Sequence, residues 1–582
     1  MNLDLQKQWS KNPKLIASLS ILWLLLISWL AFFWNVGNIS IIDETEPLFA
    51  EASRQMVATG DWITPYYNGV TRFDKPILIY WLQALAFSIF GVNEWAVRLP
   101  STLSAFGLTC LGFYTLRYFG VNPFQNSSRK LSNSLRQQEL WYSAFIGASL
   151  IALNPLTIAW GRTGVSDSLL TACIGGGLMS FFIAYATNQH KTIWYIAFYI
   201  LIGLAALTKG PVGIVLPAAI ALIFLFYVGN LKPVFREMKL LWGIFIILLI
   251  NVPWYALAIW RNGESFINSF FGYHNVERFT TVVNHHAGPW YIYFPVLLVG
   301  FAPWSLYLPL AVAETRFWQR RYWQKIPRST HLGLFLTIWL VIVFLFFSVA
   351  VTKRPNYILP LIPATAMLVG MMWSSYLTNP QPQKNDPGLV LSGLVNVAAL
   401  SGLAIALYHL TSLIGSDPLT PDLIPALERS NLAIQGSIIW AVTALIAAIM
   451  IVMRKSPWLW LPNLIGFLTL LIVVMMPASF LIDRVRQQPL RELSALAVQV
   501  RQPKEQLVML GFEKPSVVYY TKQPVKFIQN NETIEQYIES QKQSWLLISP
   551  EDKLRQLGLS TNISESIGKS GAYQLLRVKK SG

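Results

Sequence analysis

Charge is scarce in this chain. Of 582 residues only 13% are Asp, Glu, Lys or Arg, while 54% are hydrophobic; ordinary soluble domains carry about 25% charge. Cysteine is nearly absent. The two present, Cys110 and Cys173, sit inside apolar runs, which excludes a disulfide framework and leaves them as small buried apolar groups. There is no internal repeat and no Gly-rich nucleotide loop. Acidic residues number 28 against 45 basic ones, a net charge of +17. That excess does not indicate nucleic acid, because the cations cluster in short loops between apolar runs, as membrane topology requires. The first apolar run lacks a small-residue cleavage site and is too long for a signal-peptide core, so it is expected to remain as a span.

Long apolar runs are what the chain has in abundance. Runs of 17 or more residues recur along it, long enough to cross the roughly 30 Å hydrocarbon core. A barrel would show short alternating segments instead. The expected fold is an all-α polytopic membrane protein with about 13 transmembrane helices and a small C-terminal α/β domain. The spans fall near 15–34, 95–117, 139–160, 166–187, 193–208, 211–228, 240–260, 290–312, 332–351, 356–376, 389–411, 433–453 and 458–481. Segment 76–92 is also apolar, and its Tyr80 and Trp81 suit an interfacial or re-entrant helix. With Lys7, Lys11 and Lys14 inside, alternation puts the other strongly basic loops on the same side. An odd count of spans then leaves the C-terminal tail outside.

From about Asp483 the character changes: apolar runs shorten and charges mix. Residues 1–482 are read as the membrane domain and 483–582 as a small extracytoplasmic domain. Strands are expected at Gln506–Phe512, Ser516–Tyr520, Ser544–Ser549 and Ala572–Val578, and helices at Leu490–Val500 and Ile534–Gln541.

The chain is organised around one polar loop, residues 35–94, which holds Asp43, Glu44, Glu46, Glu51, Asp61, Asp74 and Glu94. Carboxylates at the end of a transmembrane helix are costly near lipid unless they have a partner or a function. One reading is a solvated loop in which Asp43 caps the following helix; the other is a catalytic loop. On the same face lie Arg162, Asp167, Lys209, Arg278, Lys353 and Arg354, several of them cations that run against the topological bias. Snorkelling at span ends explains one or two. Together they suit a phosphate or pyrophosphate headgroup, with Arg as a bidentate fork and Lys as a point charge. Facing carboxylates can act as a general base or hold a divalent cation. The chemistry suggested is group transfer from a phosphate-activated lipid. His285-His286 are adjacent loop residues that point different ways and make a poor ligand pair.

A family likeness runs through Asp43-Glu44, Glu51-Ala52, Gly60-Asp61-Trp62, Asn68-Gly69, Phe73-Asp74-Lys75-Pro76 and Tyr80-Trp81. It continues through Arg98-Leu99-Pro100, Arg162, Asp167-Ser168, Leu207-Thr208-Lys209-Gly210-Pro211, Glu277-Arg278-Phe279, Gly288-Pro289-Trp290-Tyr291 and Lys353-Arg354-Pro355-Asn356-Tyr357. In order and spacing this string resembles the ArnT-like, protein-mannosyltransferase-related glycosyltransferases, GT-C fold enzymes that use polyprenyl-phosphate sugars. The resemblance implies an inverting sugar transfer from undecaprenyl phosphate at the outer face of the inner membrane. The acceptor would be lipid A, another glycan or a protein; the sugar would be aminoarabinose, mannose or another hexose or pentose. It further implies Asp43, Glu44 and Asp167 as the catalytic carboxylates, and Lys75, Lys209, Arg278, Lys353 and Arg354 on the donor phosphate. Asp74, Arg162 and Tyr357 would be in support, and a divalent ion on Asp43 and Asp167 is an open expectation. Asp74 departs from the family's usual Glu. The competing reading is a transporter or flippase of lipid-linked sugar, which more often shows paired pseudo-repeats and broken helices.

Overall fold

The computed structural model describes residues 13–126, 133–277, 280–281, 287–378, 386–529, 531–541, 543–557 and 564–579. Each of the expected spans is helical. Among the described residues nine helices are long and apolar enough to cross a membrane, or up to eleven if each of two bent pairs counts as one span. The difference from the sequence expectation has named causes. Segment 139–160 breaks where Asn154 caps a new helix opening at Pro155, a bend of 59°. Segment 290–312 folds back by 112° between Trp290–Gly300 and Trp304–Glu314. Val212–Val228 is a shorter apolar helix, and Glu94–Phe119 carries Glu94, Arg98 and Arg117 within its length.

The apolar surface is divided between packing and lipid. On the long segment Leu240–His274, Trp260 is 84% exposed, as expected of a face that meets hydrocarbon rather than protein. Where helices meet each other, small residues set the distance. A Cβ on Gly370 would lie 2.6 Å from the Gly147 Cα, so helices Asn133–Ala152 and Ile362–Thr378 cross at a point that excludes any side chain.

The loop after the first helix is itself folded. Helix Glu46–Thr59 starts at Pro47 and stops at Gly60, whose φ of 72° is left-handed. A two-stranded hairpin follows, β1 (Tyr66–Tyr67) against β2 (Val70–Thr71), turned by Asn68 and Gly69 at φ 51° and 81°, the Asn-Gly signature of such turns. Segment 76–92 forms helix Leu78–Phe90, packed on its neighbours by buried Ile79, Tyr80 and Phe87. One buried ion pair ties the loop to the bundle. The Arg98 guanidinium binds both oxygens of Glu46 at 2.8 Å and donates to the carbonyls of Val36, Ile39 and Ser40. Glu46 in turn accepts from the Ile42 and Gly164 N–H groups, so every partner that makes a buried ion pair tolerable is present.

The C-terminal part is an α/β unit. Strands β3 (Leu507–Leu510), β4 (Val525–Ile528), β5 (Trp545–Pro550), β6 (Ser564–Ser570) and β7 (Tyr573–Val578) form one sheet in the order β4-β3-β5-β7-β6. β3 runs parallel to β4 and β5, while β7 is antiparallel to β5 and β6. Val517 and Val518 pack on one face and Ile534 and Tyr537 on the other, so the turn after β3 sits where the crossovers diverge, the usual place for functional groups in such sheets. The stretch expected as a strand, Ser516–Tyr520, is instead the crossover helix Pro515–Thr521. Its β-branched and aromatic residues favour a strand, but a parallel β3–β4 pair needs a crossover, and packing overrides propensity.

Candidate active site

The polar loop, the membrane helices and the C-terminal unit enclose one cavity of about 1670 Å³. Its walls include Asp43, Glu44, Asp74, Lys75, Arg162, Asp167, Lys209, Lys353, Arg354 and Tyr357, which are the expected site residues that lie among the described ones. Arg278 and His285-His286 lie outside the described residues.

Asp43 does not cap the helix after it. Thr45 occupies that position without a side-chain cap, and the Asp43 carboxylate turns to the C-terminal domain. One oxygen accepts the Ser516 N–H at 2.9 Å and the other the Ser516 hydroxyl at 2.5 Å. Burial pushes the carboxyl up to about 6; the Ser516 donors and Lys514 pull the other way, and Glu44 adds to the rise. Glu44 is largely exposed, 3.4 Å from the Lys514 ammonium.

Asp74 has the opposite environment. Burial works against its charge, but Arg72 at 2.6 Å, Lys75, His274 and the Tyr80 hydroxyl hold the carboxyl down to about 2. The Lys75 ammonium donates to the Asp74 carbonyl at 2.6 Å and lies 4.0 Å from its carboxylate. Asp74 therefore fixes the pair of cations beside it and stays ionised.

Asp167, in the first turn of helix Ser166–Ala186, receives the Lys209 ammonium at 2.6 Å and the Asn356 amide at 2.8 Å on one oxygen. Lys209 sits at the C-terminal end of its helix, held just before Gly210, whose φ of 77° ends it. The ammonium also lies over the Tyr357 ring, 5.3 Å from its centre. Asn356 was part of the motif in sequence, but its contact with Asp167 needed the fold.

Three cations differ in their availability. Lys353 directs its ammonium to the carbonyls of Phe347 and Ser348, 3.1 and 2.6 Å away, and of Ala350. These close the C-terminal end of helix Leu332–Val349 and occupy its three donors. This capping contact competes with its expected place on a phosphate. Arg162 likewise donates to the carbonyls of Ala31 and Trp34 at 3.3 and 2.8 Å. Arg354 lines the cavity half-buried, with no carboxylate in salt-bridge range among the described residues.

The expected divalent site is not assembled. Among the described residues no group of three or more His, Cys, Asp or Glu is placed to hold a metal ion. Asp167 already carries an ammonium on one oxygen, and each Asp43 oxygen accepts from Ser516, so a dication on this pair would have to share or displace those contacts.

Relatives place this geometry in context. Residues 140–257 match the family described as dolichyl-phosphate-mannose-protein mannosyltransferase, and residues 500–582 match the C-terminal domain of cyanobacterial RgtA-type glycosyltransferases. The chain is similar to undecaprenyl phosphate-alpha-4-amino-4-deoxy-L-arabinose arabinosyl transferase 1 of Pseudomonas fluorescens, 28% identical over 80% of each chain. It is 31% identical to the corresponding transferase of Aeromonas salmonicida, over 62% of this chain and 61% of that one. An uncharacterized protein of Aquifex aeolicus is 32% identical over 61% of this chain and 73% of its own. In fold, the chain superposes on ArnT from Cupriavidus metallidurans bound to undecaprenyl phosphate with a TM-score of 0.73 at 19% identity, covering 96% and 97% of the two chains. With residues 140–257 and 500–582 matched to glycosyltransferase families, transferases as relatives along most of its length, and the ArnT fold over nearly all of it, the chain is an ArnT-like glycosyltransferase of the GT-C class.

Proposed function

We propose that this protein transfers a sugar from a polyprenyl-phosphate donor to an acceptor at the outer face of the inner membrane. The observation that carries the reading is the cavity itself, which gathers Asp43 with Lys75, Lys209 and Arg354 around one volume open to apolar walls such as Leu471 and Met475. A phosphate with a long apolar tail needs both kinds of surface.

In the proposed reaction an acceptor oxygen attacks the anomeric carbon as the bond from that carbon to the phosphate oxygen breaks, with inversion. The electron pair leaves with the polyprenyl phosphate, whose charge Lys75, Lys209, Arg354 and Arg278 stabilise. Asp167 holds Lys209 in place by the contact described above. If the acceptor is a hydroxyl, its proton passes to Asp43, whose raised carboxyl is suited to a base near neutrality. If the acceptor is a phosphate, it is already an anion and Asp43 orients it. The names of the relatives favour undecaprenyl phosphate and aminoarabinose; lipid A-type lipids, other glycans and protein are the acceptor classes in question.

The test is transfer by the purified protein, with undecaprenyl phosphate carrying radiolabelled aminoarabinose, mannose or another hexose or pentose and an envelope fraction as acceptor pool. Label moving to one acceptor class is the expected result. Donor binding without transfer, for every sugar tried, would favour the transporter reading instead.

A further inference from the structure

We infer that Ser516, on the C-terminal domain, is a positioning residue for the Asp43 carboxylate, so that this domain completes the transfer site. The inference rests on the role given to Asp43 above and goes beyond it by assigning a task to the domain.

The geometry is a two-point clamp. Ser516 offers two donors, its N–H and its hydroxyl, and they fall on different oxygens of the same carboxylate. One contact would leave the group free to swing about it; two fix both the plane and the direction of the carboxylate. A carboxylate has about four lone-pair sites, so two contacts leave others for a substrate in the cavity that Asp43 lines. Among the described residues no other side chain donates to the Asp43 carboxylate. Its backbone N–H makes only a long contact, 3.5 Å, to the Gln487 amide oxygen.

The clamp is rigid because the helix that carries it is anchored on both sides of Asp43. Ser516 is 1% exposed. Three residues on, the Tyr519 side chain packs among Ile41, Ala50, Phe87 and Val97. The Tyr520 hydroxyl accepts from the Ile41 N–H at 2.9 Å and donates to Glu94 at 3.1 Å. On the other flank Lys514 faces Glu44. Farther out, the Asn68 side chain pairs with both the N–H and the carbonyl of Val525. The catalytic loop and the crossover helix thus meet as one packed unit, whereas a domain that served only as cover would need no donor pair aimed at one carboxylate. Orienting a reacting group in this way acts on turnover rather than on donor binding.

The experiment measures kcat and donor KM for the full-length protein, using the labelled polyprenyl-phosphate sugar that the wild type transfers, with turnover counted per donor-binding site. Ser516→Ala keeps the N–H and loses the hydroxyl; it is expected to lower kcat about ten-fold while KM stays within about two-fold. Ser516→Thr restores the hydroxyl and is expected to recover turnover to within about three-fold of wild type. Turnover of Ser516→Ala equal to wild type per donor site would overturn the inference, as would a loss that only follows the number of donor sites. Asp43→Asn separates the two readings. If that variant is inactive, a null result at Ser516 defeats only this inference; if it is as fast as wild type, the role of Asp43 fails and this inference with it.

Discussion

Asp43 and Asp74 belong to one loop and line one cavity, yet their surroundings drive them apart: burial pushes the first up to about 6, and Arg72 with its neighbours holds the second near 2 against the same burial. In the proposed reaction the separation suits them to different tasks, Asp43 to one near neutrality and Asp74 to one that needs a charge. For a hydroxyl acceptor, transfer is expected to fall as pH drops through about 6, where Asp43 takes up a proton and can no longer accept one. A pH–rate profile under saturating donor checks this, and a flat profile from pH 5 to 8 would remove the base role. Lys209→Ala is expected to reduce transfer by about 10²–10³, since it removes a cation proposed to meet the donor phosphate and takes the ammonium from Asp167; membrane insertion should be unaffected. Much of this was legible in sequence, because Asp43, Lys75, Asp167, Lys209 and Arg354 each stand in short motifs whose charge is out of place near lipid. Ser516 was not legible. It sits 473 positions from Asp43, in a stretch with no motif, and only the folded domain brings it to the loop.

Helices explain where the sequence reading misjudged residues. Lys353 beside Arg354 looks like a second phosphate ligand, but the preceding helix ends at Val349, and open carbonyls three to six residues before Lys353 receive its ammonium. Lys353→Gln is therefore expected to cost about 0.3–2 kcal/mol of stability with a smaller loss of transfer than Arg354→Gln; thermal melting in detergent beside the transfer assay distinguishes them. The Val-Val-Tyr-Tyr core of Ser516–Tyr520 favours a strand by propensity, whereas Pro515 stands at the first turn of the helix that the segment forms. The Arg98–Glu46 pair has the opposite history: both residues were visible, but their joint burial was not. Arg98→Ala removes the guanidinium partner of the buried Glu46 and is expected to destabilise the fold by about 3–5 kcal/mol, seen as a lower melting temperature even where activity is measured at low temperature.

At the scale of the molecule, the contacts of the C-terminal domain with Asp43, Asn68 and Glu94 put that domain and the first loop on one side of the bilayer, which requires an even number of crossings between them. From the charge pattern we propose that this side is the exterior. A cysteine placed at exposed Lys522 is expected to react with a membrane-impermeant thiol reagent added to intact cells; labelling only after lysis would reverse the orientation. The polytopic plan was readable because apolar length alone reports it, whereas the breaks at Asn154 and near Pro303 depend on local packing that hydropathy does not register. The cavity between membrane and domain was the least readable feature, since its walls come from both ends of the chain. The most direct measurement is transfer of labelled sugar from undecaprenyl phosphate by wild type, Asp43→Asn and Lys209→Ala, each purified and shown to be folded. Transfer by the wild type and its loss in both variants is the predicted result. Undiminished transfer by either variant, or donor binding by the wild type with no transfer at all, would contradict the account.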